Sequence, residues 1–136
     1  MASILKVDTI TGVTTAGSIA VTGEGNSTTT NLQQGLAKAW VNFNGSGTVA
    51  IRDSENVTSI LDEGSGDYTI NFANSMANAN YNHVAGGQSA LSNANREIKI
   101  PGDTTPTASA LQLWTTNHAS LTDFTFVSVS NHGDLA

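Results

Sequence analysis

The sequence contains no cysteine, so disulfide bonds and thiolate metal sites are excluded. Small extracellular domains often use disulfides to compensate for a small core. This chain of 136 residues is only 38% hydrophobic, which is low for a globular domain. A polar chain without cross-links needs another source of stability, and we expect association between subunits to supply it.

Positive charge is also scarce. Five Lys and Arg residues are scattered among 11 Asp and Glu, which leaves a net charge of −6. Phosphate neutralisation supplies most nucleic-acid affinity, so we expect no nucleic-acid partner. The first ten residues have one Lys and no apolar run of seven, unlike a secretory signal peptide, and no run is long enough to span a membrane. We therefore expect synthesis in a cytoplasm and no membrane insertion.

Catalytic motifs are missing as well. The sequence has neither a G-x-S-x-G nucleophile elbow nor a G-x-x-x-x-G-K-[ST] phosphate loop. We expect no catalytic residues, no cofactor and no enzymatic activity.

No metal site is expected either. The histidines, His83, His118 and His132, lack the H-x-H or H-x₃-H spacing of metal ligands. We interpret them as surface or strand residues; the alternative is a ring of symmetry-related histidines on a trimer axis. The acidic segment Asp62–Asp67 offers oxygen ligands for Ca²⁺ but lacks the EF-hand pattern. A glycine-rich hairpin turn with solvated carboxylates is our interpretation of that segment, and calcium binding is the alternative.

Turn-forming and β-branched residues are what the chain does have, since Gly, Ser, Thr and Asn supply 59 of the 136 residues. A β-hairpin is predicted from Lys38 to Ser54, in the sequence KAWVNFNGSGTVAIRDS. Two runs of alternating apolar and polar residues flank an Asn-Gly-Ser-Gly turn there. Alternation also predicts strands over Val57–Leu61, Asp67–Phe72, Asn80–Ala85, Glu97–Ile100, Ala108–Thr115 and Asp123–Ser130. Short alternating strands at this spacing predict an all-β fold, an antiparallel β-sandwich or jelly roll with at most one short helix.

The first thirty residues differ from the rest because they contain no aromatic residue. We predict strands at residues 3–10 and 18–22 in an extended attachment arm spanning residues 1–30, with a disordered tail as the alternative. The candidate attachment side chains are Ile4, Leu5, Val7 and Ile10. Residues 31–38 carry the best helix signal and are predicted to form a short helical hinge. Residues 39–136 are predicted to form the sandwich.

The aromatic residues are predicted to be mostly core, as are two isoleucines near them. Phe43, Ile51, Ile70 and Phe72 are the expected core of the hairpins, and Trp40, Tyr68, Tyr81, Trp114 and Phe126 are assigned to the core by their pattern. Trp114 has a second interpretation, because it lies on the opposite parity from Leu111 and Leu113. It is the candidate exposed recognition residue, able to stack on a sugar, with core or subunit interface as the alternative.

Four segments of the hairpin region follow one pattern, namely Lys38–Phe43, the turn Asn44–Gly47, Val49–Ser54 and Gly66–Phe72. Together with the opening Leu5–Ile10, they resemble a module of tail-fibre-like virion proteins from tailed bacteriophages, especially marine and cyanobacterial phages. Glu55 departs from the family pattern, which has an aromatic or apolar residue there. About 40 residues match well.

The resemblance implies a non-enzymatic virion structural protein that assembles in the host cytoplasm as a homotrimer. It would contact other virion proteins through residues 1–30 and display the sandwich for host-surface interaction, with a surface glycan as a possible ligand. Two alternatives remain at this point. A trimeric capsid decoration protein fits the short chain, and a polysaccharide depolymerase is suggested by phage context alone.

Overall fold

The computed structural model describes residues 4–12, 19–23, 28–89 and 95–136. These residues form eleven strands and one short helix, and every strand pair is antiparallel. The all-β class predicted from the sequence is confirmed. Packing divides the chain into two compact units, residues 1–36 and residues 37–136. Within the described ranges no helix is long and apolar enough to cross a membrane.

The N-terminal unit contains a small hairpin followed by a helical turn. Strand β1 (Ala20–Thr22) pairs with β2 (Thr29–Asn31), and α1 (Leu32–Gly35) follows directly. The Asn31 side chain caps this helix by accepting a hydrogen bond of 3.0 Å from the backbone N–H of Gln34. Four residues make a single turn, which is consistent with the weak helix signal of the sequence.

The strand predicted over residues 3–10 is not formed. Residues 4–12 have no regular secondary structure, and residue 3 lies outside the described part of the chain. A strand needs a neighbour to satisfy its backbone groups, and no described strand pairs with residues 4–12. The strand predicted over residues 18–22 is present as β1, although Ser18 lies outside the described residues.

The C-terminal unit consists of two antiparallel sheets. Its strands are β3 (Ala37–Asn44), β4 (Ala50–Glu55), β5 (Val57–Gly64), β6 (Asp67–Phe72), β7 (Asn82–Gln88), β8 (Arg96–Lys99), β9 (Ala110–Asn117), β10 (Ser120–Leu121) and β11 (Phe126–His132). One sheet has the order β4-β3-β11-β7. The other has the order β10-β9-β6-β5, with β8 also paired to β9. Strand β3 begins at Ala37, so the last two residues of the predicted hinge belong to a strand.

Alternation along the strands builds one core between the sheets. On β3 the side chains of Ala39, Val41 and Phe43 are fully buried, while Trp40 and Asn42 on the opposite face are half-buried. The same period appears on the other central strands. The remaining buried apolar residues are Tyr68, Ile70, Phe72, Met76, Tyr81, Leu111, Leu113, Phe124, Val127 and Val129. Because both sheets contribute side chains to this single core cluster, the C-terminal unit is a β-sandwich.

Five of the nine core assignments made from the sequence are confirmed and four are wrong. Phe43, Ile70 and Phe72 are buried in the core, as are Tyr68 and Tyr81. Trp40 and Trp114 are only half-buried, on the outer faces of the two sheets. Ile51 is 37% exposed because it lies on edge strand β4, where a bulge interrupts pairing with β3 and no other described strand pairs with its outer side. Phe126 is 43% exposed because Val127 and Val129 take the inward positions of β11.

Candidate interaction surfaces

A buried polar network joins three connecting segments at one end of the sandwich. The hydroxyl of Tyr68, on β6, lies 2.8 Å from the Gly45 carbonyl oxygen and 3.1 Å from Asp123 Oδ1. The same Asp123 oxygen accepts a hydrogen bond of 2.7 Å from the Gly66 N–H. The Gly45 N–H in turn donates to the Phe124 carbonyl at 2.9 Å. The β3–β4 turn, the β5–β6 turn and the segment before β11 are thereby fixed to one another.

Both buried tyrosines remain protonated at neutral pH. Burial raises the pKa of Tyr68, and the adjacent Asp123 carboxylate raises it further by disfavouring a second negative charge. Burial raises the pKa of Tyr81 to about 12. The Tyr81 hydroxyl donates to the Ala110 carbonyl at 3.1 Å, and its ring meets Phe72 edge to face. These phenols therefore support the fold, and neither has the lowered pKa of a catalytic base.

This arrangement predicts a loss of stability at high pH. The unfolded chain releases the Tyr81 proton near the ordinary pKa of 10.0, whereas the folded chain holds it up to about pH 12. The folded state thus binds more protons in this window, so its stability is complete below pH 10 and declines above it. We expect thermal melts followed by circular dichroism to show this decline. Tyr81→Phe should weaken the dependence on pH, and identical slopes for both proteins would contradict the assignment.

The titratable groups do not converge on a reactive centre within the described residues. No group of three or more His, Asp or Glu side chains there is placed to hold a metal ion. In the acidic hairpin, Asp62 accepts from the Gly64 N–H, Glu63 from the Thr69 hydroxyl, and Asp67 from the Gln112 amide. Each of these carboxylates is engaged with a different partner.

The histidines also lie apart from one another. His83 is on β7, His118 is in the turn between β9 and β10, and His132 ends β11. His83 is paired with Asn131, and His132 with Asn82, so the two histidines on neighbouring strands occupy successive, oppositely facing positions.

Trp114 lies on the outer face of the five-stranded sheet. Its neighbours along β9, Leu113 and Thr115, are buried inward, and Trp114 itself is half-buried on the opposite side. Asp67 of β6 and Lys99 of β8 are its cross-strand partners. The core assignment for Trp114 is therefore wrong. Trp114 is only partly accessible to a ligand, because its indole nitrogen is shielded from solvent.

A second aromatic feature, which is not predicted from the sequence, lies on the outer face of the four-stranded sheet. The Arg52 guanidinium stands 5.6 Å from the centre of the Phe126 ring and donates to the Thr125 carbonyl at 2.5 Å. Trp40 is half-buried on the same face, opposite Glu55, and is not a core residue. Glu55 itself is exposed on edge strand β4.

The four candidate attachment residues all have exposed apolar side chains. Ile4 and Leu5 are 78% and 81% exposed, and Val7 and Ile10 are 52% and 56% exposed. They occur within seven consecutive residues that have no regular secondary structure. Leaving this much apolar surface in water is unfavourable, so the segment has the properties of a binding segment.

Comparison with known proteins adds no assignment. No protein-family model matches the chain, and no match was found among curated proteins or among solved structures.

Proposed function

We propose that this chain is a non-enzymatic structural protein of a tailed-bacteriophage virion. In this proposal it is a short trimeric fibre or appendage module. The N-terminal arm anchors it to other virion proteins, and the sandwich faces the host surface. The observation that carries the proposal is the contrast between the two units. The C-terminal unit has a closed core of its own, whereas the described N-terminal segment exposes four large apolar side chains.

The arm is suited to binding by strand addition. Residues 4–10 contain no proline and form no strand, so a sheet edge on another virion protein can satisfy their N–H and C=O groups. Ordering such a segment costs about 1–2 kcal/mol per residue, and burial of Ile4, Leu5, Val7 and Ile10 offsets that cost.

The outer face around Trp114 is suited to a carbohydrate ligand. A sugar ring stacks its C–H face on an aromatic ring, while its hydroxyls need fixed hydrogen-bonding groups nearby. Here Asp67 and Lys99 lie on the two strands beside Trp114, and Gln112 is held by a 2.8 Å hydrogen bond to Asp67. The proposed ligand is a polysaccharide of the host envelope.

Quantitative mass spectrometry of purified phage particles tests the virion assignment. We expect the chain in a low copy number divisible by three, set by the symmetry of the tail. Copies on the order of hundreds per particle would instead indicate the decoration protein of a capsid lattice, since copy number follows the symmetry of the attachment site. Absence from the particle would overturn the proposal.

Trp114→Ala tests the recognition surface. We expect the variant to lose at least about tenfold of its binding to bacterial surface glycans on an array, because aromatic stacking contributes about 1–3 kcal/mol per ring contact. The matched control is Trp40→Ala, which removes a half-buried tryptophan from the outer face of the other sheet. Circular dichroism would confirm that both variants fold. Equal binding by the two variants would contradict a glycan site at Trp114.

A further inference from the structure

Most exposed sheet edges of the sandwich carry features that block strand addition. Strand β4 has a bulge in its pairing with β3 and contains three charged residues, Arg52, Asp53 and Glu55. Strand β5 has two register shifts in its pairing with β6 and carries Asp62 and Glu63 just before its last residue. Strand β8 is short, and three of its four residues are charged. Bulges, charges and short strands are the usual protection against pairing with another chain.

Strand β7 has none of this protection. Its sequence, NHVAGGQ, contains no Asp, Glu, Lys, Arg or Pro, and all seven residues pair with β11 without a register shift. Among the described residues, β11 is its only paired strand, and six of its seven residues are exposed, so no described strand occupies its other edge. Val84 on its outer face is 61% exposed. An uncharged, regular, open edge of this length is a template for one more strand.

We propose that β7 pairs antiparallel with β7 of a second copy of this chain, about a two-fold axis at Ala85. The occupant is indicated by the strand's self-complementarity. In this register Val84 faces Gly86 of the second copy and His83 faces Gly87, so each large side chain opposes a glycine. Asn82 faces Gln88, which sets amide against amide. No like charges face one another in the ladder, so no charged pair within the two strands opposes the self-pairing.

The inner face at this edge adds apolar contact to the backbone pairing. His83 and Ala85 line a small cleft with Ile98 and Ile100, and the cleft has room for roughly one water molecule. Both isoleucines are half-buried at the margin of the core. Because alternate side chains of an added strand point to the same face, His83 and Ala85 of the second copy would extend this lining.

The two-fold contact is independent of the trimer in the proposed function, and mass separates the two. A dimer of twice the 14.0 kDa chain mass in light scattering supports β7 pairing and overturns the trimer. A trimer that forms nothing larger overturns β7 pairing and leaves the proposed function standing. A hexamer supports both, because three-fold and two-fold axes together give six copies. A monomer at all accessible concentrations overturns both.

Engineered cysteines test the register, and the absence of native cysteine makes the result unambiguous. Directly opposed residues in an antiparallel pair lie about 4.5–5.5 Å apart, within the range of a disulfide. Ala85→Cys should therefore form a covalent dimer under mild oxidation. The control is Val84→Cys, which is more exposed but lies diagonally from its own copy at about 7–8 Å. Faster cross-linking of Val84→Cys than of Ala85→Cys, or no cross-linking of either, would overturn the proposed register.

A charge substitution tests the contact without covalent chemistry. Val84→Lys places an ammonium group on an exposed site of β7, and we expect association to weaken at least tenfold with an unchanged circular dichroism spectrum. The matched control is Leu61→Lys, at a 52% exposed site on edge strand β5. Equal association by both variants and the wild-type chain would overturn pairing through β7.

Discussion

Phe43→Ala should lower the free energy of unfolding by about 3–5 kcal/mol, the cost of removing a fully enclosed aromatic side chain. Phe43 is fully buried on β3. Its ring packs in an edge-to-face arrangement against the ring of Tyr68, which belongs to the other sheet, and the two ring centres are 5.2 Å apart. The substitution therefore removes apolar burial and an inter-sheet aromatic contact together, and leaves a cavity beside the Tyr68 network. Chemical denaturation followed by tryptophan fluorescence would measure the change.

The matched control for this substitution is Phe126→Ala, which deletes the same side chain from an exposed site. Phe126 is 43% exposed and contacts the Arg52 guanidinium. Its removal should cost about 1 kcal/mol or less, since a surface cation–π contact contributes about 0.5–1 kcal/mol. A similar loss for both variants would show that Phe43 does not anchor the two sheets.

The central strands could be predicted from the sequence because alternation is a local signal. The predicted strand Asp67–Phe72 coincides with β6, and Glu97–Ile100 differs from β8 by one residue at each end. Strand order is not a local property, so edge positions were not predictable. That is why the alternation around Ile51 predicts a core residue although Ile51 lies on an edge strand.

The candidate surfaces were predictable only in part, for the same physical reason. The opposite parity of Trp114 from its leucine neighbours was visible in the sequence. The polar groups beside it were not, since Asp67 and Lys99 come from strands that meet β9 only in the folded sheet. The self-complementary edge of β7 could not be predicted from the sequence either. The uncharged sequence NHVAGGQ indicates a pairing edge only when β7 is known to lie at the end of its sheet.

Gly66→Ala should destabilise the sandwich more than any other glycine-to-alanine change in its turns. Gly66 has φ of +67°, and a Cβ there would lie 2.5 Å from both the Thr115 carbonyl oxygen and the Thr122 backbone nitrogen. Both obstacles are backbone atoms, so they cannot rotate away. The backbone strain of about 1–2 kcal/mol adds to an overpacking cost of about 1–3 kcal/mol.

Gly47→Ala separates these two costs, because Gly47 has nearly the same φ, +71°, and no atom within 4 Å of an added Cβ. It should lose only the strain, about 1 kcal/mol. Any displacement at Gly66 also disturbs its N–H donation to Asp123, the hydrogen bond that connects the β5–β6 turn to Tyr68. Gly66→Ala should therefore lower the denaturation midpoint and also change how stability declines at alkaline pH, to which the raised pKa of Tyr68 contributes, whereas Gly47→Ala should lower the midpoint and leave that decline unchanged. An equal loss of stability in the two variants would mean that the backbone around residue 66 shifts at little cost to make room for the added Cβ. The buried hydrogen-bond network would then not hold this end of the sandwich in a fixed conformation.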